Sequence, residues 1–212
     1  MSYTIEVIYH YFLVLGVAMA KLYFRYGAMN SSKTANALMV KYNYEERGQK
    51  VLLMKPSIDN RDGGCVIKSR AGLTEECLLI HKDSNIYEMV HDYINKNTGI
   101  NCVIIDEAQF LKKQQVYHLT RLVDGDRIPV ICYGLRTDFR GELFEGSQYL
   151  LAWADTIEEV KTICWCGKKA IMNARYQNDK IIKEGEQVEV GGNDRYISLC
   201  RAHWHDGVMS DK

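Results

Sequence analysis

The chain lacks net charge and sequence repetition. Its 212 residues carry 27 Lys and Arg against 27 Asp and Glu, so a broad basic surface for nucleic acid is not expected. No internal repeat and no low-complexity tract is present. The apolar content of 47% is ordinary, and at this length a folded core needs no disulfide staples. These features predict one main domain with a small appendage.

The chain also lacks a long apolar run. Residues 9–20 are apolar, but this stretch is too short to span a bilayer. Residues 18–20 look like a signal cleavage site, but an export signal begins with Lys or Arg residues. No Lys or Arg precedes residues 18–20. We therefore expect a cytoplasmic protein with no membrane attachment. Residues 1–18 are interpreted as an N-terminal extension, either not native or disordered, with Met19 as a candidate start.

A phosphate-binding loop is nearly complete but lacks its second glycine. Residues 27–34 read G-A-M-N-S-S-K-T and stand between a short apolar strand and a helical pattern. Such a loop directs backbone N–H groups and the helix dipole at one point. In the full pattern G-x-x-x-x-G-K-[ST], the lysine contacts phosphates and the hydroxyl holds Mg²⁺. Lys33 and Thr34 occupy these places, and Ser32 replaces the glycine, which is costly only where φ is positive or contact is very close.

The alternative for this loop is an ordinary Ser-rich helix N-terminus, with Ser31 or Ser32 as the cap.

A second segment favours the nucleotide site. Residues 102–105 read C-V-I-I, which is typical of a strand buried on both faces, and D-E-A-Q follows directly. Acids at the carboxyl end of such a strand lie where open α/β sheets bind ligands, and one can hold Mg²⁺ while its neighbour acts as a base. The alternative is that Asp106 and Glu107 are simply exposed to solvent at the end of the strand and have no catalytic or metal-binding role.

The predicted ATP- and phosphate-binding residues are Gly27, Ala28, Met29, Asn30, Ser31, Ser32, Lys33, Thr34, Asp106, Glu107, Ala108 and Gln109.

Strand-like and helix-like runs alternate along the first part of the chain. Strands are predicted at 21–26, 51–54, 102–105 and 128–133, and helices at 33–47, 86–94 and 114–123. Such alternation predicts a parallel sheet with right-handed crossovers. Residues 57–75 lack periodicity and are interpreted as a long loop. We predict an α/β fold: a P-loop, RecA-like parallel sheet with helices on both faces over 19–158, and a small β-rich, ribbon-like zinc domain over 159–207.

The seven cysteines are an odd number, and three of them cluster with histidines near the C-terminus. Cys164-Trp-Cys166 and Cys200-Arg-Ala-His203 lie roughly 34 residues apart, which is compatible with a tetrahedral zinc site. Three thiolates and one imidazole would close the shell, as in a structural site. His205 is a conceivable substitute ligand. The alternative is a group of buried cysteines beside a surface histidine.

With the loop, the Asp-Glu pair and the Cys/His cluster in this order, the chain resembles the type II (cellular and bacterial) thymidine kinases. The resemblance runs from about residue 21 to about residue 206. The stretches that match the bacterial branch are 22–24, 58–61, 69–70, 106–110, 133–141 and 186–196.

The resemblance implies transfer of the γ-phosphoryl group of ATP to the 5′-hydroxyl of thymidine, giving thymidine monophosphate. It assigns Glu107 as the general base and Arg61 as a second catalytic residue. It also implies Mg²⁺ held by Thr34, Asp106 and Asp59.

Thymine recognition is likewise implied by the resemblance, mainly through backbone groups of a loop in the zinc domain and an apolar floor. Simple core packing is the alternative for each apolar member. The family also implies a homotetramer inhibited by thymidine triphosphate. The residues assigned to thymidine are Met29, Phe110, Leu135, Phe139, Asn173, Val188, Val190 and Tyr196.

Two rival functions are compatible with parts of the pattern. D-E-A-Q is also typical of helicases, which are nucleic-acid-dependent ATPases. A helicase would need a second motor domain and a nucleic-acid surface, and neither is indicated here. The other rival is a non-catalytic zinc-ribbon protein, which would have no use for Glu107 or Arg61.

Overall fold

A single parallel sheet of six strands organises the larger part of the chain. The computed structural model describes residues 19–60, 63–97, 99–178, 180–188 and 195–210. The sheet has the strand order β5–β2–β6–β7–β1–β8, and its neighbouring strands pair in parallel. Its strands are β1 (Leu22–Tyr26), β2 (Val51–Pro56), β5 (Leu78–Ile80), β6 (Cys102–Ile105), β7 (Val130–Gly134) and β8 (Thr156–Glu159). The helices packed on it are α1 (Lys33–Glu45), α2 (Ile86–Lys96), α3 (Lys113–Asp124) and α4 (Glu145–Trp153).

Alternate residues of the strands pack into two cores, one on each face of the sheet. In β6, Val103 and Ile105 join the core formed with α2, α3 and α4. Cys102 and Ile104 point to the opposite face and join the core that contains α1. Because both faces are covered, every residue of β6 is buried, which explains its continuous apolar sequence. The predicted α/β sheet with helices on both faces is confirmed.

The carboxyl ends of four strands carry the segments predicted to be functional. The loop 27–32 follows β1, the segment around Asp59 follows β2, Asp106 follows β6, and residues 135–141 follow β7. Parallel strands bring these ends to one edge of the sheet, where open α/β folds bind ligands. A further segment at this edge is a hairpin of β3 (Val66–Lys68) and β4 (Thr74–Glu76). All but its last residue falls in the stretch 57–75, for which the sequence predicted a loop. The two strands were missed because they are too short to show periodicity.

The C-terminal part is a small β-rich unit, as predicted. It consists of the pair β9 (Thr162–Ile163) and β10 (Lys169–Ala170), the sheet β12–β11–β13, and helix α5 (Arg201–Asp206). The strands of the sheet are β11 (Met172–Gln177), β12 (Lys180–Ile182) and β13 (Tyr196–Leu199). Its core is small and includes Cys164 and Cys200. Within the described ranges, no helix has both the length and the apolar character needed to cross a membrane.

Candidate active site

The loop between β1 and α1 has an unusual backbone. Asn30 and Ser32 have φ angles of 62° and 59°, in the left-handed region. Ser32 therefore adopts the conformation that glycine adopts freely, at a cost of about 1 kcal/mol for an L-residue. Its side chain makes no capping hydrogen bond, so the capping alternative does not hold for Ser32. A Cβ on Gly27 would lie 2.4 Å from the carbonyl oxygen of Val160, which explains the glycine there.

Lys33 and Thr34 begin α1 and point into the loop and toward β6. The Lys33 ammonium is buried and donates to the carbonyls of Ala28 at 2.8 Å and Gly27 at 3.3 Å. The Thr34 hydroxyl donates to Asp106 Oδ2 at 2.8 Å. These contacts join the phosphate loop to the end of β6.

Asp106 has a buried carboxylate with one unsatisfied oxygen. The residue is 3% exposed, and its Oδ1 has no hydrogen-bond partner among the described residues. Burial, and then the charge of neighbouring Glu107, raises the pKa of Asp106 to about 7. A buried carboxylate oxygen beside a threonine hydroxyl suits a hard divalent cation, which would supply the missing partner. The donor set at Thr34 and Asp106 therefore fits Mg²⁺.

Asp59 lies near a buried lysine that the sequence interpretation missed. Lys55, in β2, is 1% exposed and lies with Nζ 3.6 Å from Asp59 Oδ2. The same ammonium donates to the carbonyl of Val66 at 2.7 Å. Lys55 thus connects the Asp59 segment to the β3–β4 hairpin. The available signal was a lysine inside an otherwise apolar strand, since such residues are rarely buried without a partner.

Glu107 is held in position by Gln109. Glu107 has φ 52°, a left-handed conformation that precedes a short 3-10 turn. The Gln109 amide donates to Glu107 Oε2 at 2.6 Å, and its oxygen accepts from the Leu135 N–H at 3.0 Å. A Cβ on Gly134 would lie 2.7 Å from this amide oxygen. Gln109, predicted to bind phosphate, therefore fixes the predicted base against the segment after β7.

One cavity of about 720 Å³ joins most of the predicted site. Both the phosphate-loop residues 29–34 and the acids Asp59, Asp106 and Glu107 line it. Gly27, Ala28 and Ala108 lie outside its lining, and Ala108 is buried in the main core. Arg61 and Val190 lie outside the described residues, so their assignments stay predictions. The residues assigned to thymidine that line the cavity are Met29, Phe110, Leu135, Phe139, Asn173, Val188 and Tyr196.

The C-terminal unit holds the phosphate loop through Met29. Asn173 Oδ1 accepts from the Met29 N–H at 2.8 Å, and the Asn173 amide donates to the Thr137 carbonyl at 2.9 Å. Ser198 Oγ donates to the Met29 carbonyl. Asn173, which was assigned to thymidine, thus uses both ends of its amide on backbone groups. Ser198 was missed because nothing in the sequence connects β13 with a loop 169 residues earlier.

The predicted metal ligands Cys164, Cys166, Cys200 and His203 come together. Their ligand atoms all lie within 4.8 Å of one another. Cys164 Sγ is 3.4 Å from His203 Nδ1, and Cys166 Sγ is 4.0 Å from Cys200 Sγ. Ligand atoms about 2.3 Å from a tetrahedral zinc ion would lie about 3.8 Å apart, so the set fits zinc. His205 is not part of this cluster.

The environment of Cys164 favours its thiolate form. Burial opposes ionisation of Cys164, but backbone donors at Cys166 and Cys200, with the His203 side chain, lower the pKa of this thiol to about 6. Metal ligation requires the thiolate form. The Trp165 ring stacks on His203, with centroids 4.2 Å apart and planes 6° apart, which orients the imidazole.

Known proteins are similar to this chain over most of its length. Residues 20–204 match the family model described as "Thymidine kinase". The chain is 49% identical over 189 residues to a thymidine kinase of Haemophilus influenzae, covering 89% of this chain and 97% of the relative. It is 52% identical over 190 residues to a thymidine kinase of Legionella pneumophila, covering 89% and 91%. A solved Pif1 helicase from Candida albicans matches 73% of this chain and 38% of its own at 14% identity and a TM-score of 0.41, which is too weak a likeness to bear on function.

Proposed function

The chain belongs to the thymidine kinase family, and from this premise we propose how its residues transfer the γ-phosphoryl group of ATP to the 5′-hydroxyl of thymidine. The observation that carries the proposal is the shared cavity, in which the phosphate loop, Asp106, Glu107 and the apolar thymidine residues meet. Neither the nucleic-acid-dependent ATPase nor the non-catalytic zinc-ribbon protein is favoured by any observation of this site.

The phosphate half of the cavity binds ATP. The Lys33 ammonium and the N–H groups of loop residues 30–34 bind the β- and γ-phosphates, assisted by the positive end of the α1 dipole. Thr34 and Asp106 would hold Mg²⁺, with Asp59 lining the same cavity. Mg²⁺ held there would supply positive charge against the phosphoryl oxygens. Arg61 remains our assignment for additional positive charge there.

Glu107 accepts the proton of the 5′-hydroxyl. As this proton leaves, the 5′-oxygen forms a bond to the γ-phosphorus, the bond to the β,γ-bridging oxygen breaks, and ADP is released. Gln109 holds Glu107 in place through the 2.6 Å hydrogen bond. The Leu135 N–H donates a hydrogen bond to the same Gln109 amide. Gln109 therefore fixes the position of the base Glu107 relative to the floor of the nucleoside half.

The nucleoside half takes thymidine against Met29, Phe110, Leu135 and Phe139. Val188 and Tyr196 of the C-terminal unit complete this half, and Val190 is assigned to it by family resemblance. A structural zinc ion held by the Cys/His cluster would stabilise the unit, whose own core is small.

Assembly, regulation and location are proposed from the family alone. We propose a cytoplasmic homotetramer that thymidine triphosphate inhibits. Light scattering measures the mass of the assembly, and titration of thymidine triphosphate into the kinase assay measures inhibition. A monomer, or activity insensitive to the triphosphate, would contradict these assignments.

The reaction is tested by chromatography of thymidine incubated with the protein and Mg-ATP. We expect thymidine monophosphate from the native protein. Glu107→Gln should lower turnover by about 100-fold or more, because general-base catalysis contributes on this order, while thymidine and ATP still bind. Glu88→Gln, an exposed substitution on α2, is the matched control and should retain full activity.

Two outcomes would contradict the proposal. Full turnover by Glu107→Gln would show that Glu107 is not the general base. ATP hydrolysis that depends on added nucleic acid, without thymidine monophosphate, would support the ATPase instead.

A further inference from the structure

Arg175 is a buried arginine that lies under the nucleoside half of the cavity. It stands in β11, is 6% exposed, and is not among the residues that line the cavity. An arginine is rarely buried to this extent unless its donors are used. Its contacts therefore indicate what it supports.

The guanidinium contacts two aromatic residues that line the cavity. It lies over the Phe139 ring, 3.8 Å from the centroid, and its Nε donates to the Tyr196 hydroxyl at 2.7 Å. Phe139 belongs to the segment after β7, whereas Tyr196 begins β13. One planar group thus sets the distance between a ring of the main domain and a ring of the C-terminal unit.

The same guanidinium holds the backbone that leads to Val188. Its Nη2 donates to the Glu186 carbonyl at 3.0 Å. A second contact nearby joins the Gln187 amide to Asp138 Oδ2 at 3.1 Å. Gln187 and Val188 both line the cavity, so the Arg175 bond fixes the entry to this part of its wall.

We infer that Arg175 is a positioning residue for thymidine, which fixes Phe139, Tyr196 and the Glu186 carbonyl relative to one another. This inference rests on the proposed function and deepens it. The phosphate half has its own supports in Lys33 and Thr34, so Arg175 governs affinity for the nucleoside and not for ATP. A planar fork is required, because a lysine ammonium cannot stack on one ring while donating in two fixed directions.

The test is steady-state kinetics of Arg175→Lys and Arg175→Met. We expect the KM for thymidine to rise about tenfold in the lysine variant and further in the methionine variant, since each loses hydrogen bonds from a charged donor. The KM for ATP should change less than about threefold, and zinc content should stay at the native level. A merely structural role would instead alter both KM values or reduce zinc content.

Arg121→Lys is the matched control. Its guanidinium lies 3.9 Å from the Tyr87 ring centroid, between α2 and α3 and outside the cavity lining. The same substitution there should leave the KM for thymidine unchanged, which separates the effect of position from that of losing an arginine stack.

Tyr196→Phe supplies a second, milder test that keeps the ring. Because its hydroxyl accepts from Arg175, the effects of Tyr196→Phe and Arg175→Lys on the KM for thymidine should be less than additive in the double variant. Additive effects, or an unchanged KM for thymidine in Arg175→Lys, would overturn the inference. Failure of the native protein to phosphorylate thymidine would instead overturn the proposed function.

Discussion

Replacing Asp106 by asparagine should stabilise the protein while removing its activity. The Asp106 carboxylate is 3% exposed, and one oxygen accepts from Thr34 while the other is unsatisfied within the described structure. Asparagine has the same shape and can still accept from Thr34 through its amide oxygen. It carries no charge, so the variant isolates the cost of ionising this buried group.

The magnitude follows from the pKa. Burial raises the pKa of Asp106 from 3.8 to about 7. Between these values the folded protein binds a proton that the unfolded chain has released, so the free energy of unfolding falls as pH rises through this window. From pH 5 to pH 7 the fall is at most about 2.7 kcal/mol, at 1.36 kcal/mol per pH unit. We expect the advantage of Asp106→Asn to grow by about 2 kcal/mol over this interval and to level off above pH 7.

Urea unfolding at pH 5, 6, 7 and 8 measures this difference. The protein is dialysed free of Mg²⁺ without a chelator, so that zinc is retained. A gain of about 2 kcal/mol would also raise the thermal midpoint by roughly 4–8 °C for a chain of this size. Asp92→Asn, an exposed substitution on α2, is the control. Added Mg²⁺ should stabilise the native protein more than Asp106→Asn, because the variant loses a carboxylate ligand and its charge.

Two results would refute this reasoning. Stability curves of the native protein and Asp106→Asn that stay parallel from pH 5 to pH 8 would show that the carboxylate is not costly to ionise. Native turnover in Asp106→Asn would show that Mg²⁺ is not held there, since the amide oxygen is a much weaker ligand than a carboxylate for this ion.

Two further substitutions test the supports of the site. Cys166→Ser should lower the zinc content from about one ion per chain. It should also raise the KM for ATP, because the C-terminal unit holds the backbone of Met29 in the phosphate loop. Metal analysis and kinetics measure the two effects, and an unchanged KM for ATP in zinc-free protein would contradict this link. Gln109→Met should lower kcat by about 10- to 100-fold with the KM for ATP nearly unchanged, because Glu107 loses a charge-assisted hydrogen bond and the Leu135 N–H loses its acceptor. A normal kcat would show that Glu107 needs no such support.

The sequence predicted the central sheet because its strands are buried on both faces. Runs such as residues 102–105 admit few other interpretations. Helix α4 was missed because Gly146 is near its start and reads as a breaker. In the structure a Cβ on Gly146 would lie 2.5 Å from the Ala108 carbonyl oxygen, so the glycine permits close packing. Strands β5 and β8 were missed because they are short and border the sheet.

Within the site, residues whose role depends on local sequence were easier to predict than residues whose role depends on distant contacts. Lys33 and Thr34 follow from a loop pattern. The C-x-C pair and its partners were also predicted correctly as a cluster. By contrast, Ser198 acts on Met29 across the whole chain, and Lys55 acts through a hairpin that the sequence did not reveal. Side chains that position others carry no spacing signal.

Three of the five non-glycine residues with positive φ in the described part of the chain line the cavity where the chemistry is proposed. Asn30, Ser32 and Glu107 have positive φ and line the cavity. Each such residue costs about 1 kcal/mol or more, and it persists only where surrounding contacts over-determine it. Here the 2.6 Å bond from Gln109 holds Glu107, and the Lys33 ammonium bonds to the loop that contains Asn30 and Ser32. The contacts that maintain the strain are therefore the ones that orient the base and the phosphate loop, so relieving the strain would also release the residues on which phosphoryl transfer depends.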